Sequence, residues 1–196
     1  MSTQRAMTTN RLEAFSDGVI AIIVTIMVLE LHTPAEPTKA GLLKIAPSLL
    51  SYALSFLIVA IMWVNHHHMT HALKRVNGRV LWFNLNLLFW MSLTPFTTAF
   101  VGRNYHEPFP VALYGAVLAL CALAFALARG ELVEQCQGDD EMQAYHLQIK
   151  RKNSYSLALY LISIPAAYVS VYISYSIFVG VAAAYFLPER KLAEAS

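Results

Sequence analysis

Charge is scarce in this chain: 13% of its 196 residues are Asp, Glu, Lys or Arg, while 57% are hydrophobic. Soluble domains carry about 25% charged residues, so the balance excludes an ordinary water-facing surface and points to an integral membrane protein. The net charge of +2, with basic residues in short clusters between apolar runs, speaks against nucleic acid as a partner. Cysteine is nearly missing. Cys121 lies in an apolar run and Cys136 in a polar stretch, a spacing that suggests neither a disulfide framework nor a metal motif. No Ser/Gly/Pro-rich stretch is long enough to link domains, so residues 1–196 are expected to form one domain. A secretory signal is a poor fit, because Met1 to Asn10 is polar and the first apolar run is too long and lacks a small-residue cleavage site. No internal repeat is visible, so a pore on a symmetry axis has to come from oligomerisation.

What is present is a series of long apolar runs: Phe15 to Leu31, Leu49 to Val64, Val80 to Val101, Val111 to Ala128 and Tyr155 to Leu187. A helix crosses the hydrocarbon core in about 20 residues. The last run has 33 residues and as one helix would reach about 50 Å, too long for one crossing. Two helices are expected there, with the turn in Ser170 to Ser176 and a kink at Pro165. The reading is an all-α protein of six transmembrane helices, over 12–31, 46–66, 80–102, 110–129, 154–171 and 174–188.

Cytoplasmic loops hold most of the Lys and Arg beside membrane spans. With six spans and the amino terminus inside, Arg5, Arg11, Lys74, Arg75, Arg79, Arg129, Lys150, Arg151, Lys152, Arg190 and Lys191 fall inside, against Lys39, Lys44 and Arg103 outside. Both termini are therefore expected on the cytoplasmic side. The polar segment Gly130 to Asn153 reads as a solvated loop or helix end whose basic residues meet anionic lipid.

The first span carries unexpected polar residues: Arg11, Glu13, Ser16, Asp17, Thr25 and Glu30. A carboxylate at the bilayer centre costs on the order of 3 kcal/mol and normally finds a partner or a water-filled cavity. At about 100° per residue, Phe15, Gly18, Ile22, Ile26 and Leu29 share one face, Thr25 flanks it, and Asp17 points away on the other side. Arg11 projects near the apolar stripe. By periodicity alone the stripe is better read as ordinary helix packing, since such spacing is common in buried helices.

The run Arg11-Leu-Glu-Ala-Phe15-Ser16-Asp17, continued by Gly18 to Leu29, resembles the RxxxFSD first helix of the lysosomal potassium channel family, transmembrane protein 175, in its prokaryotic single-repeat form. Trp63 with His66 and His67 resembles that family's second-helix motif, and Trp82, Asn84 and Thr94-Pro95-Phe96 resemble its third. The resemblance implies a potassium-permeable homotetramer of six-helix subunits, with four first helices lining a central pore. It implies that Ile22 is the main constriction, that Ile26 and Leu29 form further apolar rings, and that Thr25 contributes to selectivity. It further implies a hydrogen-bond network of Arg11, Ser16 and Asp17 with His66 or His67 and Asn84, bracing the pore helix.

An apolar ring gates by dewetting and makes an ion shed water where few ligands replace it. The larger, more weakly hydrated K⁺ loses less than Na⁺, and without a TVGYG-type filter the selectivity over Na⁺ is expected to be modest. No Arg-rich helix is present to sense voltage. Glu30 is expected at the outer mouth, attracting cations or facing water. His67 and His71 stand at i, i+4, a spacing that suits zinc, yet no HExxH carboxylate and no Ser/His/Asp arrangement accompany them. Neither an enzyme, a cofactor nor a catalytic metal is implied; the expected partners are K⁺, membrane lipid and further copies of the chain. A secondary transporter is the alternative, disfavoured because such proteins usually show internal repeats and interrupted mid-membrane helices.

Overall fold

A computed structural model of the chain describes residues 8–71, 73, 75–135 and 140–186, with side chains omitted for 132–135, 140–148 and 186. The described residues form helices α1 (Thr9–Leu29), α2 (Lys39–Lys44), α3 (Ala46–His71), α4 (Gly78–Ser92), α5 (Thr94–Arg103), α6 (Pro108–Gln135), α7 (Asp140–Val169) and α8 (Val171–Phe186). Arg5, Lys74, Cys136, Arg190, Lys191 and the end of the span expected over 174–188 lie outside the described residues. Among the described residues, four stretches are long and apolar enough to cross a membrane: Thr9–Leu29, Ala46–His71, Gly78–Arg103 and Pro108–Glu131. Val171–Tyr185 is a shorter apolar helix.

Local chemistry sets several boundaries. The chain after α1 contains Pro34 and Pro37, which cannot continue a helix. α2 starts where the Thr38 hydroxyl accepts from the Gly41 N–H at 3.0 Å, and α4 starts where Asn77 Oδ1 accepts from the Val80 N–H at 2.8 Å; both are N-caps that satisfy an orphan donor.

Two expectations change. The span expected over 80–102 is two helices, broken at Leu93. Pro95 sits in the first turn of α5, where its missing N–H costs least, and without that N–H the hydrogen-bond ladder of α4 cannot run on unbroken past Leu93. The Leu93 and Thr94 carbonyls at this break both accept from the Thr97 hydroxyl, at 3.2 Å each. The turn expected over Ser170 to Ser176 contracts to Ser170 alone. It is held shut by the Ser174 hydroxyl of α8 donating to the Ser163 carbonyl of α7 at 2.7 Å; Pro165 stays within α7. Of the segment from Gly130 to Asn153, expected as a solvated loop or helix end, the described residues are helix ends: α6 runs on to Gln135 and α7 starts at Asp140.

α6 packs against α4, α5, α7 and α8, and α1 packs against α3, α4 and α5. Leu87, Met91, Val59, Leu118, Val111 and Phe178 are completely or almost completely buried. Buried hydroxyls stitch the bundle where apolar packing alone gives little directionality: Ser55 of α3 meets the Tyr114 hydroxyl of α6 at 2.8 Å and accepts from the Thr98 hydroxyl of α5 at 2.7 Å.

α3 and α5 approach so closely at Gly102 that an added Cβ would stand 2.9 Å from the Ser48 Cα, and the Ser48 hydroxyl donates to the Gly102 carbonyl at 3.1 Å. Backbone cannot yield as a side-chain tip does. Gly102→Val is expected to destabilise the bundle by about 1–3 kcal/mol, read as a lower thermal unfolding midpoint in detergent, whereas Gly18→Ala, whose Cβ meets nothing within 4 Å, is expected to leave the midpoint unchanged or raised.

Candidate functional site

The two sides of α1 are sharply different. Leu12, Ser16, Ile20, Ile23 and Met27 are buried at helical spacing. Ile22, Ile26 and Leu29 lie on the opposite side and are 58%, 41% and 77% exposed, against 2%, 3% and 1% for Ile20, Ile23 and Met27. Phe15 is likewise half exposed, and Gly18 and Thr25 are exposed. The exposed apolar stripe runs beside α5 and forms one wall of an open groove of about 660 Å³, lined among others by Val19, Ile22, Ile26, Pro95, Phe96 and Phe100. The Thr25 hydroxyl donates to the Ile22 carbonyl of its own helix at 2.9 Å, which leaves its oxygen lone pairs to face outward.

At the carboxyl-terminal end of α1 the groove acquires a polar rim. Arg103 Nη2 stands 3.3 Å from Glu30 Oε2 and 3.2 Å from His32 Nδ1. Glu30 is thus paired with a cation on α5, and its charge is partly offset before any mobile ion arrives.

The buried side of α1 is anchored by a polar chain across three helices. His66 Nε2 of α3 lies 2.8 Å from Asn84 Oδ1 of α4. Asn84 Nδ2 donates to the Ser16 hydroxyl at 3.0 Å, and that hydroxyl donates to the Leu12 carbonyl at 2.8 Å. The donors and acceptors run in one direction when His66 carries its proton on Nε2. Ser16, His66 and Asn84 are 0%, 0% and 3% exposed, so each group has traded water for this contact.

Of the residues expected in one network, the structure brings together Ser16, Asn84 and His66. Asp17 instead accepts from the Trp63 indole N–H at 2.9 Å. His67 Nδ1 stands 3.0 Å from Glu13 Oε1, and His71 Nε2 stands 3.5 Å from the same oxygen. Arg11 is exposed and takes no part in the Ser16–Asn84–His66 chain. Trp63 and Glu13 are the site residues that reading the sequence missed as contacts. The spacing held a signal, because Trp63 and His67 lie one turn apart on α3, as Glu13 and Asp17 do on α1.

The residues that carry this geometry coincide with a family signature. Residues 11–95 match the family described as the endosomal/lysosomal potassium channel TMEM175. A potassium channel of Chryseobacterium sp. is 40% identical over 186 residues, 95% of this chain and 96% of the relative. The chain belongs to the TMEM175 family. A potassium channel of Chamaesiphon minutus is 30% identical over 181 residues, 85% of this chain and 87% of the relative. The crystal structure of a lysosomal potassium-selective channel TMEM175 homolog from the same organism superposes with a TM-score of 0.80 at 27% identity, over 90% of this chain and 95% of that one. The TMEM175 channel fold and a multi-pass membrane protein follow; it is a family of ion channels, not of enzymes.

The polar chain makes a quantitative prediction. Asn84→Ala strands the buried His66 imidazole, at about 1–3 kcal/mol, and removes the bond that the Ser16 hydroxyl accepts while leaving the one it donates to the Leu12 carbonyl. Asp17→Ala strands a Trp63 indole that is itself 42% exposed rather than buried. Thermal unfolding of the detergent-solubilised variants is expected to place Asn84→Ala well below Asp17→Ala, and the reverse order contradicts the assignment.

Proposed function

We propose that the chain is a passive, potassium-permeable cation channel, assembled as a homotetramer in which four copies of α1 line a central pore. The observation that carries this reading is the exposed apolar stripe of Ile22, Ile26 and Leu29 on a helix whose other side is fully packed, in a chain whose relatives are potassium channels. Six spans per subunit, α1, α3, α4 with α5, α6, the second half of α7 and α8, then place both termini on the cytoplasmic side of a bacterial membrane. The asymmetry of the basic residues supports that orientation.

In this assembly Ile22 forms the main constriction, with rings of Ile26 and Leu29 beyond it and Thr25 offering hydroxyl oxygens between them. A ring of isoleucines expels water when narrow, and an ion passing it gives up hydration for few replacement ligands. K⁺ loses less than Na⁺ in that exchange, which yields modest selectivity without a filter of stacked carbonyls. Ser16, Asn84 and His66 brace α1 from behind, so that the stripe keeps its angle to the axis; Asp17 through Trp63, and His67 through Glu13, add contacts between α1 and α3.

The break between α4 and α5 gives a secondary transporter one point in its favour, since interrupted helices often bind substrate in such proteins. The break is a single residue, however, and its Leu93 and Thr94 carbonyls are already taken by Thr97. It offers little unwound backbone to coordinate an ion.

Purified protein in liposomes separates the two. Potassium flux that follows the electrochemical gradient with no coupled ion supports the channel, and obligatory exchange overturns it. Ile22→Asn is expected to wet the constriction, raising K⁺ flux severalfold while lowering the K⁺/Na⁺ flux ratio; unchanged flux and ratio would remove Ile22 from the conduction path.

A further inference from the structure

Glu13, His67 and His71 converge where the amino-terminal part of α1 meets the carboxyl-terminal end of α3, outside the Ser16–Asn84–His66 chain. One carboxylate oxygen, Glu13 Oε1, lies 3.0 Å from His67 Nδ1 and 3.5 Å from His71 Nε2, and the three side chains each offer a ligand atom within 4.8 Å of the other two. The two imidazoles come from successive turns of α3, with ring centroids 4.5 Å apart. A separation of 3.5 Å is too long for a strong N–H···O hydrogen bond. It is an ordinary separation for two atoms sharing a metal: ligands at about 2.0–2.1 Å around a tetrahedral zinc stand about 3.3 Å from each other.

We propose that Glu13 Oε1, His67 Nδ1 and His71 Nε2 form a transition-metal site that takes a zinc-class divalent cation and ties α1 to α3. Two imidazoles and one carboxylate suit Zn²⁺ and its borderline-soft neighbours, while Mg²⁺ prefers an all-oxygen, octahedral set. The cluster is graded from covered to open, with side-chain exposures of 19% for Glu13, 39% for His67 and 64% for His71. An ion therefore enters from the His71 side, and water completes the fourth position. Because the ligands come from two helices, the folded bundle presents the site and the unfolded chain does not, so bound metal stabilises the fold by linkage.

The test is a calorimetric titration of ZnCl₂ into the full chain, purified in detergent without a polyhistidine tag, paired with thermal unfolding. Wild type is expected to bind one zinc per subunit at this site and to unfold at a higher temperature in its presence, with no such response to MgCl₂ over the same range. His71→Gln and Glu13→Gln are expected to weaken zinc binding by about tenfold or more and to abolish the zinc-dependent rise. His71→Cys, which restores a zinc ligand while discarding the imidazole, is expected to retain both. His68→Gln, at an exposed neighbour outside the cluster, serves as the control and is expected to behave as wild type. Zinc binding and stabilisation undiminished in His71→Gln would overturn the site, as would a His71→Cys variant that folds but binds no better than His71→Gln. The titration reads metal binding alone and does not depend on whether the chain conducts.

Discussion

The contact between Ser16 on α1, Asn84 on α4 and His66 on α3 fixes the rotation of α1 about its own axis. Apolar side chains slide past one another at little cost, and within hydrocarbon there is scant hydrophobic drive to choose one face of a helix over another. A buried hydroxyl, amide and imidazole are different, because each loses about 1–3 kcal/mol of solvation unless it finds its partner. Turning α1 by a single residue, about 100°, would break the Asn84–Ser16 bond and carry Asp17 out of reach of Trp63. With Ser16 pinned inward, Ile20, Ile23 and Met27 follow it into the core, and Ile22, Thr25, Ile26 and Leu29 are necessarily turned out.

That outward face acquires meaning from its surroundings. An isoleucine facing lipid costs nothing, so exposure alone does not distinguish a lipid-facing helix from one lining a pore. Three features favour the pore: an outward Thr25 hydroxyl amid the apolar rings, the groove of about 660 Å³ beside the stripe, and the Glu30–Arg103–His32 cluster closing its far end. The second helix layer supports the first. α5 forms the other side of the groove and is locked to α3 by Ser48 with Gly102 and by Thr98 with Ser55, so the wall facing the stripe is as firmly held as α1 itself. In the tetramer we propose, each subunit therefore presents a rigid pore helix, and changes in conduction come from wetting at Ile22 more than from rearrangement behind it.

Much of this is legible in the sequence, for identifiable reasons. The stripe from Phe15 to Leu29 follows from helical periodicity, because α1 is a regular helix from end to end. Helix count in the last third follows from length, since a largely apolar run of 33 residues exceeds one crossing. Partner choice is another matter. Asp17 is read correctly as pointing away from the stripe, but whether it meets Trp63 or a histidine depends on where α1 crosses α3, which no local pattern encodes. Glu13 is a polar exception in the sequence, and only the fold brings it to His67 and His71. The break at Leu93 had its signal in Pro95, which an otherwise continuous apolar run concealed. At Gly130 to Asn153 the sequence left loop and helix end open, and α6 reaches Gln135 while α7 begins at Asp140, because charged residues such as Glu, Lys and Arg are themselves good helix formers.

The central claim is that α1 presents its exposed stripe to the permeation path, and accessibility of substituted cysteines tests it most directly. In a chain carrying Cys121→Ala and Cys136→Ser, Leu29→Cys and Met27→Cys place a thiol two residues apart on opposite sides of α1, at positions 77% and 1% exposed. Reconstituted in liposomes and treated from outside with a bulky, water-soluble thiol reagent, Leu29→Cys is predicted to lose most of its potassium flux, while Met27→Cys keeps it. A Leu29→Cys channel that conducts unaltered after reagent, or a block confined to Met27→Cys, would contradict the account.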